Sequence, residues 1–253
     1  MTTKKFFLPL FLAALVLSVS CSKEDEPEIR DFETLGFDTE VVLDKLPEGL
    51  VNSNDEYAQM AVDYVESALD WGVFSDQLTP PDDAMKTGKK SSETYTWSWN
   101  YGGGYVLTMW WEYRDDASKN YWDIDIQYAD YPRSSYLQAW ETKDGRSGEV
   151  KYNWQWACVI DESTSGCEDY YWMYSWNLDN DDNYTFDFLV EAEEDGVNST
   201  MNYQVLVNND GSGSVDYYFY DELFYSLDWD AAGNGSWVYY FGDESMSGTW
   251  TVD

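Results

Sequence analysis

From Glu93 to the end of the chain, apolar residues recur at every second position. Tyr95, Trp97 and Trp99 alternate with Thr96 and Ser98, and the beat continues at Leu107, Met109 and Trp111, then at Trp122, Ile124 and Ile126. It returns at 150–156, 172–176, 184–188, 201–207, 215–219, 223–229, 237–239 and 250–252. Successive side chains of a strand point to opposite faces, so a period of two marks a half-buried strand. With 136–142 this predicts about twelve short strands. Gly102-Gly103-Gly104, Asp144-Gly145 and Asp210-Gly211 supply turns between them. Short turns join antiparallel neighbours. The expected fold is therefore mainly β: an antiparallel meander forming a barrel or strongly curved sheet, with one N-terminal helix.

That helix is signalled by Ser53-Asn54-Asp55-Glu56, which has capping-box spacing. Tyr57, Met60, Tyr64, Ala68 and Trp71 then mark one apolar face, and Gly72 is the expected stop. Residues 78–92, with Pro80-Pro81, read as a connector. Before the helix, residues 22–40 are acidic and poor in aromatics, which suits a tether. The N-terminus itself has Lys4 and Lys5, an apolar stretch of about 14 residues and then Cys21. The stretch is shorter than the ~20 residues a membrane-spanning helix needs, so it reads as a secretory signal. The expected organisation is a signal peptide at 1–20, an acidic tether at 21–40, helix and connector at 41–92, and an aromatic-rich β domain at 93–253.

Charge excludes several functions. Lys and Arg number 14 against 49 Asp and Glu, a formal net charge of −35, and histidine is absent. Nucleic acid is excluded as a partner, because binding it depends on neutralising phosphates. Without histidine there is no Ser-His-Asp or Cys-His catalysis and no imidazole-bound zinc.

Ser18-Val19-Ser20-Cys21 resembles the lipobox of bacterial lipoproteins, with Leu17 one place further from the cysteine than the family usually has it. The following Ser22-Lys23-Glu24-Asp25-Glu26 resembles the export signal of Bacteroidetes surface lipoproteins. The resemblance implies lipidation of Cys21 and an outer-membrane protein facing the cell exterior. A helix followed by an aromatic meander is also similar to uncharacterised β-rich lipoproteins of that phylum, a likeness that transfers no catalytic residue. Removing Cys21 from the count leaves Cys158 and Cys167, which a hairpin would bring within disulfide reach; two reduced thiols are the alternative.

Asp179, Asp181 and Asn183 occupy the first positions of an EF-hand-like loop, but Tyr184 stands where glycine is needed. Weak Ca²⁺ binding is the most this pattern supports, and no other cofactor is implied. Among 31 acids after residue 92 no pair stands out, so the chain reads as non-enzymatic, with a carboxylate-pair glycoside hydrolase as the alternative. The aromatics are more telling, since 13 of 14 Trp follow residue 92. Neighbouring pairs put rings on both faces of the sheet, and Trp110, Trp111, Tyr171, Trp172, Tyr218 and Tyr220 are the candidate contacts for a ligand. Flat rings beside carboxylates suit sugars. The expected function is a surface-anchored binding module for glycan or another extracellular ligand; the alternative is a structural or interaction lipoprotein docking an envelope protein.

Overall fold

The alternation builds strands, and the chain orders them without a single crossover. The computed structural model describes residues 39–70, 85–87, 94–103, 105–154, 156, 170–194 and 197–252. Among the described residues three helices come first: α1 (Thr39–Leu43), α2 (Glu48–Val51) and α3 (Glu56–Asp70). Thirteen strands follow: β1 (Met85–Thr87), β2 (Thr94–Gly102), β3 (Tyr105–Asp115), β4 (Lys119–Tyr128), β5 (Ser134–Thr142), β6 (Ser147–Asn153), β7 (Tyr171–Leu178), β8 (Tyr184–Glu194), β9 (Val197–Val207), β10 (Gly213–Phe219), β11 (Glu222–Trp229), β12 (Gly235–Phe241) and β13 (Glu244–Trp250). Each pairs antiparallel with its neighbour in sequence, giving one sheet in the order β1 to β13. Helices and sheet belong to one compact unit, Asp31–Asp253. Cys21, Cys158, Cys167, Trp71 and Gly72 lie outside the described residues.

Several expectations change. The sheet does not close into a barrel, since β1 and β13 remain at its two ends. Helix α3 covers part of its apolar face, against β8–β10. Two helices precede the expected one, and β1 forms inside what read as connector. The last strand runs Glu244–Trp250 and so starts six residues before the expected 250–252 run, with Trp250 paired to Gly235 at the far end of β12. At α3 the cap is Asp55 rather than Ser53: Asp55 Oδ1 accepts the N–H of Tyr57 at 2.9 Å. Ser53 Oγ accepts from Asp55 N at 3.1 Å, one step outside the helix.

Register decides which side chains meet. Tyr174, Phe188, Tyr203, Tyr217, Tyr225 and Tyr239 stand opposite one another across six strands. Tyr217–Tyr225 and Tyr225–Tyr239 ring centroids lie 5.2 and 5.4 Å apart. Helix α3 rests on this ladder. Tyr64 meets Tyr203 and Tyr225 at 6.0 and 5.5 Å, while Tyr57 stacks on Trp237 at 4.3 Å. Ala58, Ala61 and Val65, on the adjoining face of α3, are fully buried. This covered face also holds Trp122, Ile124, Leu137, Phe186, Val205, Val215 and Leu227, which form the core.

One turn device recurs three times. Trp176, Trp229 and Trp250 donate their indole N–H to the carbonyls of Gly145, Gly211 and Gly233 at 3.1, 2.8 and 2.8 Å. Each indole lies flat against a glycine opposite it, Gly148, Gly213 or Gly235, where any Cβ would collide with the ring. Gly211 and Gly233 also hold positive φ, and the main chain of α1–α2 presses on both. The helices are thus seated on two of the three glycine turns.

Candidate functional site

The six predicted contact residues do not share a surface. Trp111 and Trp172 point to the covered side and are half-buried there, Trp111 against Trp97 at 5.3 Å and Trp172 against Trp154 at 5.2 Å. Trp110, Tyr171 and Tyr218 are on the opposite, open face, but on β3, β7 and β10, with other strands between them. Tyr220 sits in the β10–β11 turn, exposed, its ring edge-on to Phe219 at 4.4 Å.

Cations take up much of the aromatic surface on the open face of β3–β7. The Arg133 guanidinium lies 4.3 Å over Trp110, Arg114 lies 5.2 Å over Tyr121, Lys119 lies 3.2 Å over Trp140 and Lys151 lies 3.8 Å over Tyr171. Arg114 and Arg133 also pair with Asp123 and Asp125 at 2.7 and 2.5 Å. The Tyr171 hydroxyl donates to Glu191, and burial with that carboxylate pushes its pKa up to about 12. Rings covered this way offer little to a sugar.

The other half of the open face is different. No Lys, Arg or His occurs after Lys151. Here a groove of about 430 Å³ crosses β7–β10. Its lining includes Ser175 and Asn177 from β7, Thr185 and Asp187 from β8, Gln204 from β9, and Ser214 and Asp216 from β10. Ser175, Asp187, Gln204 and Asp216 stand directly opposite one another in one cross-strand row. At ~4.8 Å per strand the row spans roughly 14 Å. Gln204 Nε2 donates to Asp187 Oδ2 at 3.2 Å, while Asp187 Oδ1 is buried with no hydrogen-bond partner among the described residues. Burial raises the Asp187 pKa against the opposing pull of the Gln204 and Asn202 amides. Asp228 is raised by burial and by the charge of Asp216. Beside them, burial and the charges of Asp216 and Asp187 raise the Tyr218 hydroxyl. The sequence reading named Tyr218 but missed the groove. The signal it passed over is the point where basic residues stop.

A second cleft, of about 540 Å³, lies between the α2–α3 loop and Thr251–Val252. Its Asn52 and Asp55 side chains already bond the ends of α2 and α3, which leaves fewer groups for a ligand.

The Asp179 loop is a closed turn. Asp179 Oδ1 accepts the N–H groups of Asp181 and Asn183 at 2.8 and 3.0 Å, and Oδ2 accepts the Asn183 amide at 2.9 Å. Those bonds hold its carboxyl below the usual range. A calcium ion would have to displace them. No cluster of three or more metal-ligating side chains is placed to hold a metal among the described residues.

Asp116, Asp144, Asp210 and Asp230 are held low by hydrogen bonds in the same way. These two sets give stability opposite pH dependences. The depressed turn aspartates stabilise the fold above the ordinary value of 3.8, and that contribution is lost as pH falls through their lower values. Asp187 and Asp228, being raised, favour the fold when protonated, and that contribution is lost as pH rises through their raised values. Thermal stability should therefore decline rather than rise as pH increases through the raised values of Asp187 and Asp228 toward neutrality. Asp187→Asn should flatten the decline toward pH 7; a melting temperature still rising from pH 5 to 7 would contradict this.

No protein-family model matches the chain, and neither a curated protein nor a solved structure matches it.

Proposed function

We propose that this protein is a non-catalytic binding module for glycan or another polyhydroxylated extracellular ligand, received in the open-face groove over β7–β10. The observation that carries the reading is the Ser175–Asp187–Gln204–Asp216 row, four hydrogen-bonding side chains at regular spacing with a buried, unpartnered acceptor on Asp187. A ligand hydroxyl donating to Asp187 Oδ1 would satisfy it, and leaving a buried acceptor unmatched costs about 1–3 kcal/mol. Tyr218 offers a ring at the groove's edge. The absence of basic residues disfavours anionic ligands and leaves neutral, hydroxyl-rich ones.

A glycan array probed with the chain from Ser22 onward, followed by calorimetric titration of the best hit, tests this. Asp187→Ala and Gln204→Ala should each weaken binding at least tenfold, whereas Trp110→Ala, under its arginine, should not. No binding to any glycan, or equal binding by all three variants, rejects the groove. Release of reducing ends during titration would make the protein a carboxylate-pair hydrolase instead.

The module is anchored, in this reading, through lipid on Cys21 at the outer face of the outer membrane. Several acyl chains at ~0.8 kcal/mol per buried CH₂ would hold it without a second anchor. Wild-type protein should take up a palmitate analogue and partition with membranes, and Cys21→Ala should lose both. An unlabelled wild type would reject the anchor.

A further inference from the structure

The two edges of the sheet differ. Edge strands expose unpaired N–H and C=O groups, and proteins usually blunt them with short length, lysine, proline or a bulge. At the first edge, β1 is three residues long and contains Lys86. At the other, β13 has seven residues and pairs with β12 in unbroken register. Between Ser245 and Trp250 it carries no charge and no proline. No strand lies on its outer side among the described residues. Glu244 through Ser247 are exposed.

Apolar surface adjoins this open edge. Phe241 and Met246 are 54% and 52% exposed, and Phe224, also exposed, lies 6.2 Å from the Phe241 ring. Exposed acids flank the patch: Asp221 and Glu222 at the β10–β11 turn, Asp243 and Glu244 at the β12–β13 turn. No basic side chain follows Lys151 in the sequence to balance them. A second copy of the chain would bring the same uncompensated acids to the interface. An extended basic segment matches this charge, with its apolar side chains meeting Phe241 and Met246 and its basic ones the acids of the two turns.

We propose that β13 accepts an extended basic segment of a partner protein as a further antiparallel or parallel strand, docked by main-chain hydrogen bonds and the Phe241–Met246 patch. This surface is separate from the glycan groove, so either can fail alone.

Fluorescence polarisation of a labelled acetyl-Lys-Val-Lys-Val-Lys-Val-Lys-amide peptide with the detergent-solubilised full chain tests the proposal. Saturable binding that weakens with salt is expected. Met246→Lys and Phe241→Ser should each weaken it at least tenfold, while Ser118→Lys, at a distant exposed turn, should leave it within twofold. The same peptide N-methylated at alternate residues should also lose at least tenfold, because its backbone donors are blocked. Absence of binding, unchanged affinity of the N-methylated peptide, or unchanged affinity of Met246→Lys would overturn strand addition. Sedimentation of the wild type as a dimer that Met246→Lys dissociates would assign the edge to a second copy and overturn it too.

Discussion

Replacing Gly213 with alanine should destabilise the protein by about 3–5 kcal/mol, as much as deleting a large buried aromatic side chain. The new methyl would collide with two things at once, the Trp229 indole and the carbonyl oxygen of Leu206 on the neighbouring strand. The indole must leave its seat to clear the methyl, and the ladder itself must shift to clear the carbonyl. Trp229 is buried, and its N–H is bonded to the Gly211 carbonyl at 2.8 Å. Moving the ring therefore loses packing and the hydrogen bond that ties the β9–β10 turn. Urea unfolding of Gly213→Ala, Trp229→Ala and the double variant checks the mechanism. Coupling of about 1–3 kcal/mol is expected, with the double variant much less harmed than the sum. Gly242→Ala is the control: its φ is +62° but nothing lies within 4 Å of the added methyl. It should cost only about 1 kcal/mol, from backbone strain alone. Equal losses at Gly213 and Gly242 would show that φ or chain entropy matters and the indole seat does not.

Val65→Asp should be comparably damaging, at ~4 kcal/mol or more, by detaching the helix layer. Val65 is fully buried on α3, one residue from Tyr64 and its contacts to the tyrosine ladder. A carboxylate there must either be buried unpaired or lift the helix from the sheet. Lifting it would expose the Tyr203–Tyr239 rings and change the tyrosine and tryptophan near-ultraviolet dichroism. Glu66→Ala, on the exposed side of the same turn, should stay within about 0.5 kcal/mol. Retention of native dichroism and stability in Val65→Asp would mean the sheet stands without its helix cover.

Much of the fold was legible because a strand's period is local. The runs from Tyr95 to Tyr239 correspond to β2 to β12, whereas the 250–252 run meets β13 only at Trp250, and from Leu107 to Trp237 the apolar phase consistently marks the covered face. The Asp144-Gly145 and Asp210-Gly211 turns read from the sequence share a physical device, since each has a carbonyl held by a tryptophan on another strand. The third example, at Asp230–Gly235, went unread because its aspartate and turn glycine are not adjacent, as they are in Asp144-Gly145 and Asp210-Gly211. The α3 cap was misplaced by two residues for a similar reason: Ser53 and Asp55 both fit a cap, and only the course of the backbone selects Asp55.

The candidate site was less legible. Alternation showed that Trp110 and Trp111 face opposite ways, but not that Arg133 covers Trp110, because that cation comes from beyond the next strand. Nor could it place Asp187, Gln204 and Asp216 in one row, which follows from the register of three strands together. By itself, the sequence determined an antiparallel meander with one apolar face, because side-chain alternation and turn residues act over a few neighbours. Only the tertiary structure decided that the sheet stays open under helices, which rings are covered by cations and where an uncompensated groove remains, because those depend on side chains that burial and pairing bring together from distant parts of the chain.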